Sequence, residues 1–455
     1  MIMDRFDAWY TPGFQPGSFE KHESGRTVIR TPKLAANDIA TICARLKDAG
    51  AVLRDMPVSR IVAAIDAAAT LLAESPLRAE ALRMIPLTTG LSPEMATLVF
   101  ERMVEDWKTP ALLGLIQSEL GSLGALNGFV ARSETATRTH AVGPDLCFHV
   151  FSGNVPGVAV TSLIRALLVK SPSLCKSALR EPALAVLFLR ALETVDPVIA
   201  GAAAVAYWPG GTRELEQAAA HQADAVVVYG GGTAVNELRA LTPLHTRFIE
   251  HGPRFSIGVV NKSIHDARDI ATAVATFDQQ GCVSPHIIYV LGSAMAAREV
   301  ARATAHELEQ VEARLPRGRI EPGESAAIHS LRAQYEFRTI AGAGTEVYQS
   351  AATEWTVVVD PEPGFQPSCL NRFVLVKPIA SLDALITELK PHAKLLQSVG
   401  ISGFDDAEAA ELGIRLGRLG AVRIAPFSTL PWPPPWWHHD GRGPLLELIR
   451  WVDLD

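Results

Sequence analysis

The sequence predicts an α/β protein built on a parallel, doubly wound sheet, with a helical region before it and a second α/β region after it. Three observations carry that prediction. From about Asp145 onward, short apolar runs rich in valine and alanine alternate with helix-length segments, the pattern of repeated βαβ units. From about Lys33 to Leu120, apolar residues recur instead at helical spacing. The chain is also long enough for more than one core, with 455 residues of which 48% are hydrophobic, where roughly 150 residues make a domain.

In chain order, Ile61, Ile65, Ala68 and Leu72 stand three and four apart, and Pro76 closes that run. Leu146–Phe151, Ser173–Ser177, Ala202–Trp208, Ala225–Tyr229, Arg247–Ile249 and Phe255–Val260 read as buried strands. Val158–Val169, Pro182–Thr194, Thr212–His221 and Thr233–Leu241 read as the crossover helices between them. A second set follows: helix Ala267–Phe277, strand His286–Val290, helix Ala294–Glu312, the run Leu370–Pro378 and helix Leu382–Leu396. The stretch from Pro431 to Arg442 holds four prolines and three tryptophans. It is expected to be rigid and to pack across a domain or subunit face.

Composition narrows the function classes. Net charge is −7 with no block of Lys or Arg, which argues against a nucleic-acid partner. Mean hydropathy is +0.16, yet the most apolar stretches, Val155–Val169 and Ala183–Leu192, fall short of the ~20 residues that span a bilayer. The start, Met1 to Asp7, is mixed and polar, unlike a signal peptide. Five scattered cysteines without a CxxC pair suggest neither a disulfide framework nor a zinc site, so a reducing cytoplasmic setting is expected. His438-His439-Asp440 does not change the metal reading, because adjacent histidines in an extended segment point to opposite sides.

The candidate chemistry is nucleophilic. Cys282, in Gln280-Gly281-Cys282-Val283-Ser284, is a possible thiol nucleophile, although a lone cysteine is more often a small buried hydrophobe. Glu250, in Glu250-His251-Gly252, is a carboxylate that could move a proton. Asn154, between a strand-like and a helix-like run, offers an amide N–H to a developing oxyanion. Gly230-Gly231-Gly232-Thr233 follows a strand and opens a helix, where backbone N–H groups suit a pyrophosphate. Such turns also occur without a ligand. Lys176 ends a strand on the side where α/β sheets bind ligands, or it is an ordinary surface lysine. Leu179 stands where a carboxylate would repel a 2′-phosphate, and Arg180 could pair with that phosphate, which favours NADPH over NADH. Lowering the thiol pKa from about 8.5 needs a positive element, supplied by His251 or by a helix beginning near Cys282.

In order and local sequence, Asn154-Val155-Pro156, Lys176, Gly230–Thr233, Glu250-His251-Gly252 and Gln280-Gly281-Cys282 resemble the aldehyde dehydrogenase superfamily. The resemblance implies an oxyanion asparagine, a cofactor-ribose lysine, a nicotinamide-side turn, a general-base glutamate and a nucleophilic cysteine at those places. Within the superfamily, Phe151–Gly157, Pro367-Ser368-Cys369-Leu370-Asn371-Arg372 and Trp437–Arg442 are most similar to the LuxC-type acyl-CoA reductases of bacterial luminescence operons and related clusters. That implies an aldehyde-dehydrogenase-like fold: a helical region and Rossmann-type cofactor domain over 1–249, a catalytic cysteine domain over 250–424 and a C-terminal extension over 425–455. It implies NADPH-dependent reduction of a fatty acyl-CoA or acyl-protein thioester to the aldehyde, with an acyl-transferase or synthetase partner; the Trp/Pro-rich tail points to a homo-oligomer. One departure stands out: where ordinary aldehyde dehydrogenases carry a second glutamate for the nicotinamide ribose, this chain reads Gln366 to Arg372 with no acid. Two other readings stay open. One is an NAD(P)-dependent aldehyde dehydrogenase, and the other is an acyl-carrying protein without redox chemistry.

Overall fold

The computed structural model describes residues 4–131, 137–261 and 266–455, so Met1-Ile2-Met3 lie outside it. Two compact units emerge. Unit 1 comprises residues up to 89, 97–252 and 434–455; unit 2 comprises 90–96 and 253–433. The expected divisions at 250 and 425 compare with boundaries at Gly252/Pro253 and Pro433/Pro434.

Unit 1 opens with a three-stranded sheet of β1 (Asp4–Asp7), β2 (Phe19–Ser24) and β3 (Thr27–Pro32) in the order β1-β3-β2. The helical region follows as α1 (Ala36–Asp55), α2 (Val58–Glu74), α3 (Pro76–Thr89), α4 (Pro93–Asp106) and α5 (Thr109–Leu120). In α2 the predicted face, Ile61, Ile65, Ala68 and Leu72, is fully buried, as a 3.6-residue period requires of a core-facing stripe. Two short strands, β4 (Val130–Ala131) and β5 (Arg138–Val142), lead into the main sheet.

That sheet is parallel, in the order β10-β9-β6-β7-β8. Its strands are β6 (Cys147–Val150), β7 (Ser173–Lys176), β8 (Ala203–Ala206), β9 (Ala225–Tyr229) and β10 (Arg247–His251). The crossovers are α6 (Val158–Leu168), then α7 (Leu184–Val195) with the short α8 (Pro197–Ala200), then α9 (Arg213–Gln222) and α10 (Gly232–Leu241). Phe148, Val150, Val226 and Val228 pack on one face with Ile39 and Leu46 of α1 and Leu215 of α9. Burial of both faces explains the continuous apolar runs.

Unit 2 is a seven-stranded sheet in the order β13-β14-β15-β12-β11-β16-β17. Its elements in sequence are β11 (Phe255–Asn261), α11 (Ala267–Ala275), β12 (Pro285–Leu291), α12 (Ala294–Arg314), α13 (Pro322–Ile340), β13 (Glu346–Gln349), β14 (Thr356–Val359), β15 (Phe373–Ile379), α14 (Leu382–Leu389), β16 (Leu396–Ser402), α15 (Asp406–Leu419) and β17 (Arg423–Pro426). All pairings are parallel except the β13–β14 hairpin at one edge. The last strand, β18 (Arg450–Leu454), returns to unit 1 and pairs antiparallel with β5.

Three expectations are corrected. Helix Ala267–Phe277 stops at Ala275, because Phe277 and Asp278 adopt left-handed backbone with φ of 57° and 49°. Helix Leu382–Leu396 ends at Leu389, and a tight turn containing Pro391 delivers Leu396 into β16; proline lacks the N–H that would continue the ladder. No helix begins near Cys282, which lies in a turn directly before strand β12. Among the described residues no single helix is long and apolar enough to cross a membrane.

The candidate active site

Unit 1 gathers four of the predicted features on the carboxyl edge of its parallel sheet. Glu250 pairs in register with Val228, Val228 with Val150, and Val150 with Lys176, so acid and lysine share one row. Asn154 lies in the turn between β6 and α6, and Gly230–Gly232 lies between β9 and α10. This is the edge at which open α/β sheets hold ligands.

Lys176 is not a surface lysine. It is 8% exposed, with Nζ 3.8 Å from Glu216 of α9 and 5.9 Å from the Trp208 ring centroid. Burial lowers its pKa, and Glu216 opposes that shift. Arg180 is exposed, in a turn where its Cβ would meet any side chain placed on Gly153 at 2.5 Å. The nearest acid, Glu181, is 5% exposed and turned inward, its Oε1 accepting from Leu184 N at 2.8 Å to cap α7. At Gly231 and Gly232 a Cβ would meet nothing within 4 Å. Their bare backbone therefore presents the α10 N-terminus openly, as phosphate binding requires.

Asn154 has its amide oriented by Ser152, whose hydroxyl donates to Oδ1 at 2.7 Å. The turn closes through Gly157, at φ 90°, where a Cβ would strike Met103 at 2.6 Å; this position accepts only glycine. Glu250 is half-buried and forms an ion pair with Arg239 of α10 at 2.7 Å. Arg239 also lies over the Phe248 ring, 4.3 Å from its centroid.

In unit 2, Cys282 and Cys369 are the two half-exposed cysteines. Burial pushes the thiols of Cys43 and Cys147 up to about 12 and that of Cys369 to about 11, and raises Cys175 well above the ordinary range. The Cys282 carbonyl accepts from Ser256 Oγ at 2.7 Å, and that oxygen in turn accepts from Ser398 N at 3.1 Å.

Sequence reasoning missed what holds the Cys282 turn. Phe277, Asp278 and Gln279 have φ of 57°, 49° and 65°, and Leu370, Asn371 and Arg372 have φ of 65°, 55° and 63°. Each costs roughly 1–2 kcal/mol in such residues and persists only where its surroundings over-determine it. Here the two turns clamp each other. Gln279 Nε2 donates to the carbonyls of Pro285 and Phe373 at 2.8 and 3.0 Å, while Phe373 N donates back to Gln279 Oε1 at 2.9 Å. Gln280 Nε2 reaches Asn371 Oδ1 at 3.2 Å. Arg372, wholly buried, donates to Asp278 at 3.0 Å and to Glu312 at 2.7 Å. The stretch Gln366 to Arg372 is thus partly a support for the cysteine turn.

His251 was a candidate for lowering the thiol pKa. Its Nδ1 faces Asp440 Oδ2 at 2.7 Å, so that nitrogen carries the proton. Burial lowers its pKa despite Asp440, which favours the neutral ring. Its ring packs against both Tyr229 and His439, with centroids at 4.4 and 4.5 Å, those two rings being 6.2 Å from each other, and Trp437 packs on His439 at 4.8 Å. His438 turns the other way, toward Glu119 at 3.7 Å. His251, His439 and Asp440 bring three metal-ligand atoms within 4.8 Å of one another, a grouping hidden by their separation in sequence. The two imidazole planes are only 9° from parallel. Imidazole lone pairs lie in the ring plane, so stacked rings do not aim them at one ion.

A family model described as acyl-CoA reductase (LuxC) matches residues 53–451. The chain belongs to that family. Among curated relatives, the long-chain acyl-protein thioester reductase of Aliivibrio fischeri is 26% identical over 383 residues, covering 82% of this chain and 76% of the relative. The Vibrio harveyi protein of the same description is 26% identical over 374 residues, covering 80% and 75%. Aldehyde dehydrogenase 21 of Physcomitrella patens, solved with the product succinate, superposes with a TM-score of 0.78 at 12% identity, covering 100% of this chain and 98% of that one. Aldehyde dehydrogenase C of Pseudomonas syringae, a mutant solved with NAD+ and octanal, gives 0.75 at 14% identity over 98% and 96%. The LuxC-family chain is therefore an oxidoreductase with the aldehyde dehydrogenase fold.

Proposed function

We propose that the chain reduces a fatty acyl thioester, carried on CoA or on a protein, to the aldehyde with NADPH. The observation that carries this reading is Cys282, a half-exposed thiol in a turn clamped by buried hydrogen bonds, in a member of a reductase family.

Cys282 Sγ attacks the thioester carbonyl carbon. The oxyanion accepts hydrogen bonds from Asn154 Nδ2 and the Cys282 backbone N–H, donors of a kind whose loss costs roughly 2.7–4 kcal/mol each. The bond from carbon to the carrier sulfur breaks, leaving an acyl group on Cys282. Glu250 takes the proton from the attacking thiol and returns it to the departing thiolate. Lys176, Arg180 and the backbone of Gly230 to Thr233 hold NADPH, which supplies a hydride when bound. Two features support the phosphorylated cofactor: Arg180 is exposed, and Glu181 is withdrawn into the α7 cap. After reduction, the Cys282 thiohemiacetal expels Sγ as the carbonyl forms, and the thiol regains its proton. The sum is acyl thioester, NADPH and one proton in, with aldehyde, free thiol and NADP+ out.

Following aldehyde, free thiol and cofactor together in single assays tests this. NADPH oxidised one-for-one with aldehyde formed, and faster than NADH, supports the reading. Aldehyde oxidation by NADP+ without any CoA requirement would place the protein among ordinary dehydrogenases. Acyl uptake with no quenching of NADPH fluorescence would leave it a carrier.

A further inference from the structure

In unit 1 the C-terminal segment returns over the face of the main sheet that carries α6. A small cavity lies there, lined by Ser162 and Arg165 of α6, His251 of β10, and His439, Arg442 and Glu447 of the returning segment. It admits the centre of a water-sized sphere over about 20 Å³, room for roughly one water or one small ion.

Its walls carry two guanidiniums against one lining carboxylate, with the buried carboxylate of Asp440 standing behind His251. Arg165 is 9% exposed, and its Nε is buried without a hydrogen-bond partner among the described residues. A guanidinium stays charged at any pH proteins survive, so burying it unpaired is costly. The carboxylate that senses Arg165, Asp106, does not line the cavity and is itself pushed up to about 6 by burial. Arg442 adds a second guanidinium, 3.6 Å from Glu447, the single carboxylate on these walls. Both arginines act on His251, helping burial to keep its ring neutral, so the imidazole does not compete for an anion as a third cation. The Ser162 hydroxyl, 3.0 Å from buried His149 Nδ1, completes a polar wall.

We propose that this cavity binds a small monovalent anion of the halide class between Arg165 and Arg442, fastening the C-terminal segment to α6 and β10. Because α6 follows the Asn154 turn and His251 follows Glu250, the site underlies two catalytic candidates. It stands independently of their roles.

The test holds the full-length protein in sodium gluconate and replaces that salt with chloride, bromide or sulfate at constant ionic strength while following thermal unfolding. Chloride and bromide are expected to raise Tm saturably, by roughly 2–5 °C, with no comparable effect of sulfate. Arg165→Met is expected to lose the halide response, and Arg442→Gln to weaken it. Crystals grown in bromide are expected to show an anomalous peak beside Arg165. The proposal is overturned if wild-type Tm ignores chloride, if sulfate matches it, or if both variants respond as wild type does. An Arg165→Met chain that does not fold leaves the bromide peak and Arg442→Gln to decide.

Discussion

Lys176 and Glu250 occupy one row of the unit 1 sheet, three strands apart. At about 4.8 Å per strand their backbones stand roughly 14 Å from each other, and their side chains leave the same face. The lysine pairs with Glu216 of α9, and the glutamate with Arg239 of α10. Cofactor affinity and proton transfer should therefore fail separately when these residues are changed.

For the lysine, the buried partner sets the design of the experiment. Lys176→Met leaves Glu216 with its carboxylate buried and unpaired, which should cost about 3 kcal/mol in urea unfolding. Lys176→Met with Glu216→Gln should return stability to within about 1 kcal/mol of wild type. NADPH affinity, read by fluorescence titration, should stay weakened by about tenfold or more in the double variant. Wild-type affinity there would remove Lys176 from the cofactor site.

Glu250 sits in an exposed ion pair, worth about 0–1 kcal/mol. Glu250→Gln should therefore leave Tm nearly unchanged while lowering kcat by about 100-fold. Arg239→Ala should also fold normally, and its turnover should stay far above that of Glu250→Gln. Equal losses in the two variants would make the pair, rather than the carboxylate, the functional element.

The main sheet and its crossovers were legible because parallel strands buried on both faces spell out runs such as Ala225–Tyr229. Asn154, Lys176, Glu250 and the glycine turn were legible because they end or follow such runs, whereas Cys282 precedes one. The clamp was not. Positive φ usually announces itself through glycine, yet Phe277-Asp278-Gln279 and Leu370-Asn371-Arg372 contain none. Their conformation is enforced by partners far away in the chain, Gln279 with Phe373 and Arg372 with Asp278. The His251–Asp440 pair was hidden for the same reason. Strand β16 was absorbed into the helix before it, since Leu395-Leu396 continues an apolar pattern that Pro391 had already ended.

Two fully or largely buried imidazoles make stability pH-dependent. Burial lowers the pKa of His149 from 6.5 to about 3, and that of His286 from 6.5 to about 4. In each case the unfolded chain binds the proton first, so the contribution is whole above about pH 6.5 and is lost as pH falls toward the folded value. From pH 6.5 to pH 5 each ring should remove about 2 kcal/mol. His149→Gln retains a group able to bond Ser162 and Ser173 but does not titrate. Its unfolding free energy should fall less steeply than wild type over that range in parallel urea titrations. Identical slopes would contradict the assignment.

The central claim is that Cys282 carries the acyl group. Intact-mass spectrometry after exposure to a long-chain acyl-CoA without NADPH addresses it most directly. Wild type and Cys369→Ala should each gain the mass of one acyl group, released on adding NADPH, and Cys282→Ala should gain none. An acyl adduct that persists in Cys282→Ala, or disappears only in Cys369→Ala, would contradict the account.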